Sequence, residues 1–243
     1  MKKLTLFAVT ATAGLAVALT QPTTPVLGAA TGKVLLDGAK PEVKPIVADT
    51  AKFPDCGTID TTNETAMVDD KGGIAGVVVL VEVAGAEVKP LEKAFQLDQK
   101  NCRFEPHISI VPAGSTVEFL NSDKTSHNVH TFPGKNDAMN KTVPAGGKEL
   151  QKLDKEDRIE IKCDIHPWMQ SYLIVADSNF YAVTGKDGSF KIEGLPAGEH
   201  KVKLWHETFG KGDGKIVVDA EGNAAPVEFK LSAEKKSGRS RKG

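Results

Sequence analysis

The sequence predicts an all-β protein. Three observations carry this. Apolar and polar residues alternate with period two along much of the chain, helical periodicity is nearly absent, and short valine-rich runs are separated by turns drawn from 23 glycines and 13 prolines. Half-buried strands of this kind pair their apolar faces in sandwiches or barrels. With 31 basic and 32 acidic residues, no global field directs the chain to nucleic acid or membrane.

The first element is a leader. Lys2 and Lys3 precede an apolar run, Leu4 to Leu19, too short to span a bilayer comfortably, and small residues Gly28, Ala29 and Ala30 offer a cleavage site. Residues 1–30 are therefore expected to be a signal peptide, and the protein periplasmic or secreted. No cysteine stands near that site, so no lipid anchor is expected. Export places the three cysteines in an oxidising compartment. Cys56 in FPDCGT and Cys102 in QKNCRF can form a disulfide, which leaves Cys163 alone. A free thiol outside the cytoplasm is at risk unless it is buried or holds a metal.

The strands follow. TGKVLLDG, residues 31–38, is a strand and turn, and GGIAGVVVLVEV, residues 72–83, is a long buried strand. Ile108 and Ile110 share one face with Ser109 on the other; turns follow at Pro112–Ser115 and Pro196–Gly198. The one stretch of helix-forming composition is GKELQKLDKED, residues 147–157, and its apolar residues are sparse. Near the C-terminus, Val202 and Leu204 alternate with lysines, and Val227, Phe229 and Leu231 alternate with Glu228 and Lys230. Residues 233–243 are basic and without an apolar stretch, the composition of a disordered tail.

TGKDGSFKIEGLPAGEHKVKL, with the GKV and GVVV strands upstream, resembles a carboxypeptidase regulatory-like, transthyretin-like β-sandwich. The resemblance implies a small sandwich made of residues 31–92 and 179–232, with residues 93–178 inserted in it or fused to it.

The chemistry lies in that middle segment. Ile159, Ile161 and Cys163 share one strand face, which aims the thiol at the core. His166 and Met169 follow at spacings of three, and Pro167 forces the chain to turn, which can gather the three side chains. A histidine from a distant strand, in NSDKTSHNVHTF, completes a thiolate, two imidazoles and a thioether. That set suits copper in both oxidation states.

FEPHISIVPAGSTVEFLNSD, SHNVHTF and IEIKCDIHPWMQSYLIVAD together resemble the cupredoxins, and amicyanin most of all in the short Cys-x-x-His-x-x-Met loop. The resemblance covers roughly residues 94–177. It implies a Greek-key sandwich with one mononuclear type 1 copper, held by His127, Cys163, His166 and Met169. It implies that Asn128 tethers the two ligand-bearing segments, and that the protein carries single electrons, with a c-type cytochrome or a dehydrogenase as partner. It also implies electron entry at the His166 edge, with Trp168 in an apolar docking patch. Ser126, Ile161 and Lys162 depart from the amicyanin pattern without removing a ligand.

Rival readings are weaker. Zinc could use His127, His130, Cys163 and His166 if HNVH were a tight loop, but residues three apart on a strand face opposite ways, and Met169 is left idle. A non-redox copper-binding or structural module is the alternative to an electron carrier. His107 is expected on a strand facing away from the core, and His200 and His206 in packing. Enzyme readings lack residues: there is no phosphate loop, no GxSxG and no HExxH, and six histidines are too few for a second copper cluster.

Overall fold

The computed structural model describes residues 26–232. Residues 1–25 of the expected leader and the expected disordered tail, 233–243, lie outside the described residues. Residues 27–30, expected by sequence to end a leader, are strand. β1 runs Leu27–Leu36, with Leu27 opposite Pro196 and Ala30 fully buried. The small residues that read as a cleavage site are needed for packing, since a Cβ on Gly28 would stand 2.3 Å from the Gly222 carbonyl oxygen.

β2 is Val78–Glu82. The middle of the chain supplies β3 (Phe95–Lys100), β4 (Arg103–Glu105), β5 (Ile108–Pro112), β6 (Ser115–Asn121), β7 (His127–Phe132), β8 (Asn140–Val143), β9 (Lys148–Leu153), β10 (Asp157–Lys162) and β11 (Gln170–Ala176). Then come β12 (Tyr181–Val183), β13 (Ser189–Pro196), β14 (Gly198–His206), β15 (Gly210–Val218) and β16 (Val227–Leu231). The stretch of helix-forming composition, 147–157, is instead β9 and the start of β10. Leu150 points out and Leu153 in, an alternation that pairs β9 with β6 from Ser115↔Leu153 to Leu120↔Lys148. Neighbouring strands outweigh the helical preference of Glu, Lys and Leu.

Four sheets result. β5-β11-β10-β7-β8 and β4-β3-β6-β9 face each other across one core, built on Leu97, Phe104, Val117, Phe119, Leu153 and Ile159. This is a two-sheet sandwich of the kind that the cupredoxin resemblance implies. The other two sheets, β13-β1-β16 and β12-β2-β14-β15, combine strands from both ends of the chain around a second core that includes Val34, Ile74, Val79, Phe190, Leu204 and Phe229. Two glycines let these ends meet. A Cβ on Gly73 would come within 2.2 Å of the Asp187 carbonyl oxygen, and Gly188, at φ +75°, lies against the Val34 carbonyl.

A third, smaller cluster joins the two sandwiches. Val78 and Leu80 from β2 meet Ile108 and Ile110 from β5, with Tyr172 and Trp205 packed beside them. Ile108 and Ile110 do share a face, but it is turned to the neighbouring sandwich, while Val111 enters the β5 sheet's own core. His107, expected on a strand, stands in the bend just before β5, and the same covering half-buries it: Nδ1 donates to the Gln170 carbonyl at 3.1 Å, and Nε2 meets the buried Glu207 carboxylate. Burial pushes its pKa down, but the Glu207 hydrogen bond and charge outweigh that and leave it raised.

Candidate metal centre

β10 and β7 are hydrogen-bonded neighbours, with Ile161 opposite Thr131 and Lys162 opposite His130. This register puts His127, at the start of β7, level with the loop that follows β10. In that loop the Cys163 N–H donates to the Met169 carbonyl at 3.3 Å, and the Met169 N–H donates to the His166 carbonyl at 2.9 Å. The Pro167 turn is thereby closed on itself. His127, Cys163, His166 and Met169 are exposed by 0, 2, 1 and 1%.

Three donors converge. His127 Nδ1 and His166 Nδ1 are 2.9 Å apart, and Cys163 Sγ lies 3.7 Å from His166 Nδ1. The three belong to one group whose ligand atoms all lie within 4.8 Å of one another. The set fits a metal ion. Bonds of about 2.0–2.1 Å to nitrogen and about 2.3 Å to sulfur set the nitrogens roughly 3.3 Å apart, and nitrogen and sulfur roughly 3.6 Å apart. The rings need to part by only a few tenths of an ångström. Met169 is buried in the same core as Cys163.

The surroundings orient these donors. His127 Nε2 donates to Asp123 Oδ2 at 2.8 Å, which leaves Nδ1 with its lone pair directed at the centre. Asp123 is an acceptor on its other contacts too, from the backbone N–H groups of Asn101 (2.7 Å) and Cys102 (2.8 Å). The Asn128 backbone N–H points at Cys163 Sγ at 3.5 Å. The Asn128 side chain spans the two segments, accepting from the Asp164 N–H and donating to Asp164 Oδ2 and Asn140 Oδ1. Burial lowers the pKa of His127 despite Asp123. For His166, burial and then the neighbouring His127 bring it down to about 4. Both rings are therefore neutral at physiological pH, the form in which imidazole binds metals.

His130 does not join. HNVH is regular strand, and the half-exposed His130 ring bonds to Asp164 at 3.0 Å. The four-ligand zinc arrangement is thus not formed. The expected exposed edge of His166 is also absent. Phe53 meets the imidazole edge-on with centroids 4.7 Å apart, and Trp168 lies 5.2 Å from it, 5.5 Å from Phe53. Trp168 Nε1 donates to the Cys102 carbonyl at 3.0 Å. Cys56 and Cys102 are joined as a disulfide, their sulfurs grouped with a ring nitrogen of His166. The segment between β1 and β2 is thereby fastened over the imidazole.

Asp123 and Phe53 are the residues that sequence reading missed. Asp123 stands four residues before His127 in NSDKTSH, where a carboxylate can bond back to the ring, so that signal was present. Phe53 had none, because its contact spans more than a hundred residues of chain.

No protein-family model and no curated protein matches the sequence. Solved structures similar to part of the chain include the copper-containing nitrite reductase of Thermus scotoductus SA-01, at 21% identity over 41% of this chain and TM-score 0.34. This chain spans 26% of that one. A purple cupredoxin from Nitrosopumilus maritimus is 19% identical over 34% of this chain and 99% of its own, at TM-score 0.30. A mutant of amicyanin in its Cu(I) form is 18% identical over 40% of this chain and 98% of its own, at TM-score 0.32. No helix among the described residues is long and apolar enough to cross a membrane.

Proposed function

We propose that the protein is an exported carrier of single electrons, working through one type 1 copper ion held by His127, Cys163, His166 and Met169. The observation that carries the reading is the convergence of two imidazole Nδ1 atoms and one thiol sulfur at a buried point closed by a methionine loop. Bound there, copper supplies a one-electron couple. The residues do the rest. Asp123 fixes the His127 ring, the Asn128 N–H stabilises the thiolate, and the apolar walls exclude water. A framework that does not shift between oxidation states keeps the reorganisation small. In this reading residues 93–178 are the copper domain, and residues 31–92 and 179–232 a discontinuous regulatory-like sandwich. Its partners are redox proteins, a c-type cytochrome or a dehydrogenase being the kinds the amicyanin resemblance implies.

One observation favours a second reading, a copper-holding module without a redox partner. Phe53 and Trp168 cover the imidazole edge at which a partner would dock. The full chain loaded with Cu(II) is expected to turn intensely blue, to bleach with ascorbate and to recover its colour in air; Cys163→Ser is expected to be colourless. Colourless binding by the wild type would sink the type 1 assignment. A blue protein that exchanges no electrons with soluble cytochromes would favour the module.

A further inference from the structure

The donors around His166 do not end with the centre described above. Close to it stand the two sulfurs of the disulfide. Cys56 Sγ, Cys102 Sγ and a ring nitrogen of His166 all lie within 4.8 Å of one another. Cys102 Sγ is also grouped with Asp123 and His127. Both cysteines are held by contacts that do not depend on the bond between them. The Cys102 N–H donates to Asp123, its carbonyl accepts from Trp168, and its backbone sits at φ +50° beside Asn101 at +54°. Cys56 closes a short turn with its N–H on the Phe53 carbonyl at 3.2 Å, and Phe53 rests on the His166 ring.

We propose that reduction of Cys56–Cys102 opens a second soft-metal site, in which the two thiolates bind Cu(I) with His166 at its edge. A dithiol reductant gives the disulfide two electrons and two protons. It leaves as a disulfide itself, and two thiols remain on this chain. The metal then displaces the thiol protons. Two thiolates select a soft monovalent ion such as Cu(I) over hard cations. The sulfurs, now bonded, must separate by about 2 Å to hold an ion about 2.3 Å from each, a movement the loop around Cys56 can make because it has no strand pairing. Thiolates at this position border both histidines of the first centre, so the dithiol site lies directly beside it. The inference shares His166 with the electron-carrier reading but does not require that reading to hold.

The test uses the full chain carrying Cys163→Ser, reduced anaerobically with dithiothreitol, freed of reductant and given Cu(I) in acetonitrile. The reduced variant is expected to bind one Cu(I) per chain, seen by native mass spectrometry and by sulfur neighbours in X-ray absorption. Before reduction the same variant is expected to bind at least tenfold more weakly. Adding Cys56→Ser is expected to weaken the reduced variant's binding at least tenfold. Equal binding before and after reduction, or no effect of Cys56→Ser, overturns the proposal. Should Cys163→Ser not fold, the reduced wild type serves. It is expected to take a second equivalent of Cu(I) that Cys56→Ser alone does not take, and a single equivalent in both overturns the proposal. Blue colour in the oxidised wild type is read separately, so either idea can fail alone.

Discussion

Each sandwich buries two histidines, and they are spent differently. In the sandwich built from both chain ends, His200 Nε2 donates to the Pro196 carbonyl at 2.7 Å. His206 Nδ1 accepts from the backbone N–H groups of Thr208 (3.1 Å) and Phe209 (3.2 Å). These rings complete turns. In the sandwich built from the middle of the chain, His127 and His166 present Nδ1 atoms to each other and to a thiol, with no backbone partner for either Nδ1 among the described residues. A buried polar atom normally finds a partner within the fold. Here the partner of each Nδ1, 2.9 Å away, is another potential metal ligand and not a backbone group, which is the arrangement of a donor cluster. Burial alone therefore does not distinguish a structural histidine from a candidate ligand; the partner of each nitrogen does.

The sharpest way to break this contrast is a matched pair of substitutions. His206→Leu strips two buried N–H groups of their acceptor and is expected to cost about 3 kcal/mol in denaturant unfolding, while leaving the colour of the copper-loaded protein intact. His166→Leu removes the contact with His127 Nδ1 and the ring contacts with His127, Phe53 and Trp168, but leaves no backbone group without a partner and keeps most of the volume. It is expected to cost about 1 kcal/mol in the metal-free protein and to abolish the colour. If the two variants lose stability equally and both stay blue, the distinction between the two kinds of histidine fails.

Much of this arrangement was legible before the structure, and the gaps share a cause. The alternation of Ile159, Ile161 and Cys163 predicted an inward thiol, and all three are buried. The alternating lysines around Val202 and Leu204 predicted an outer strand face, as β14 has. Such signals are local and follow from the period of a strand. What was not legible depended on distant segments. His107 and the outer face of β5 are buried only because a second sandwich lies on them. His166 is covered only because a loop more than a hundred residues away carries Phe53 and Cys56 to it. Residues 147–157 were ambiguous locally, and β6 decided them.

The histidines at the junction of the sandwiches give a pH test of comparable size. His206 is 1% exposed, and burial holds its pKa down to about 4 against an ordinary 6.5, although a backbone contact with Ala75 works the other way. Above pH 6.5 the ring is neutral in both states and its contribution is complete. As pH falls from 6.5 to about 4, the unfolded chain binds a proton that the folded chain refuses. Stability attributable to this residue should fall by roughly 3 kcal/mol over that window. His107 works oppositely: its raised pKa contributes stability below pH 6.5 that is lost as pH rises through the folded value. Unfolding free energies measured from pH 4 to 8 are expected to lose their acid-side slope in part in His206→Asn, whose amide oxygen still accepts from the turn but does not titrate. An unchanged slope would mean that other groups set the acid limit.

The smallest expected effect falls on Asp123, which belongs to both the candidate centre and the disulfide turn. Its Oδ2 accepts from His127 Nε2 and from the Cys102 N–H, and Oδ1 from the Asn101 N–H. Asp123→Asn keeps the shape but replaces one acceptor oxygen with a donor. With the amide oxygen in place of Oδ2, His127 and Cys102 stay paired and Asn101 loses its acceptor; with the oxygen in place of Oδ1, only Asn101 stays paired. The second arrangement leaves the His127 ring free to rotate or to exchange its proton to Nδ1, which closes that nitrogen to a metal. Loss of such an outer partner weakens metal binding by about tenfold or somewhat more, so Cu(II) competition titrations should show a tenfold loss with the blue absorption retained at saturation. If affinity holds while stability drops, Asp123 is a clamp on the strained Asn101–Cys102 turn alone. The orientation of His127 must then come from the β7 backbone, whose pairing with β8 sets His127 opposite Val143.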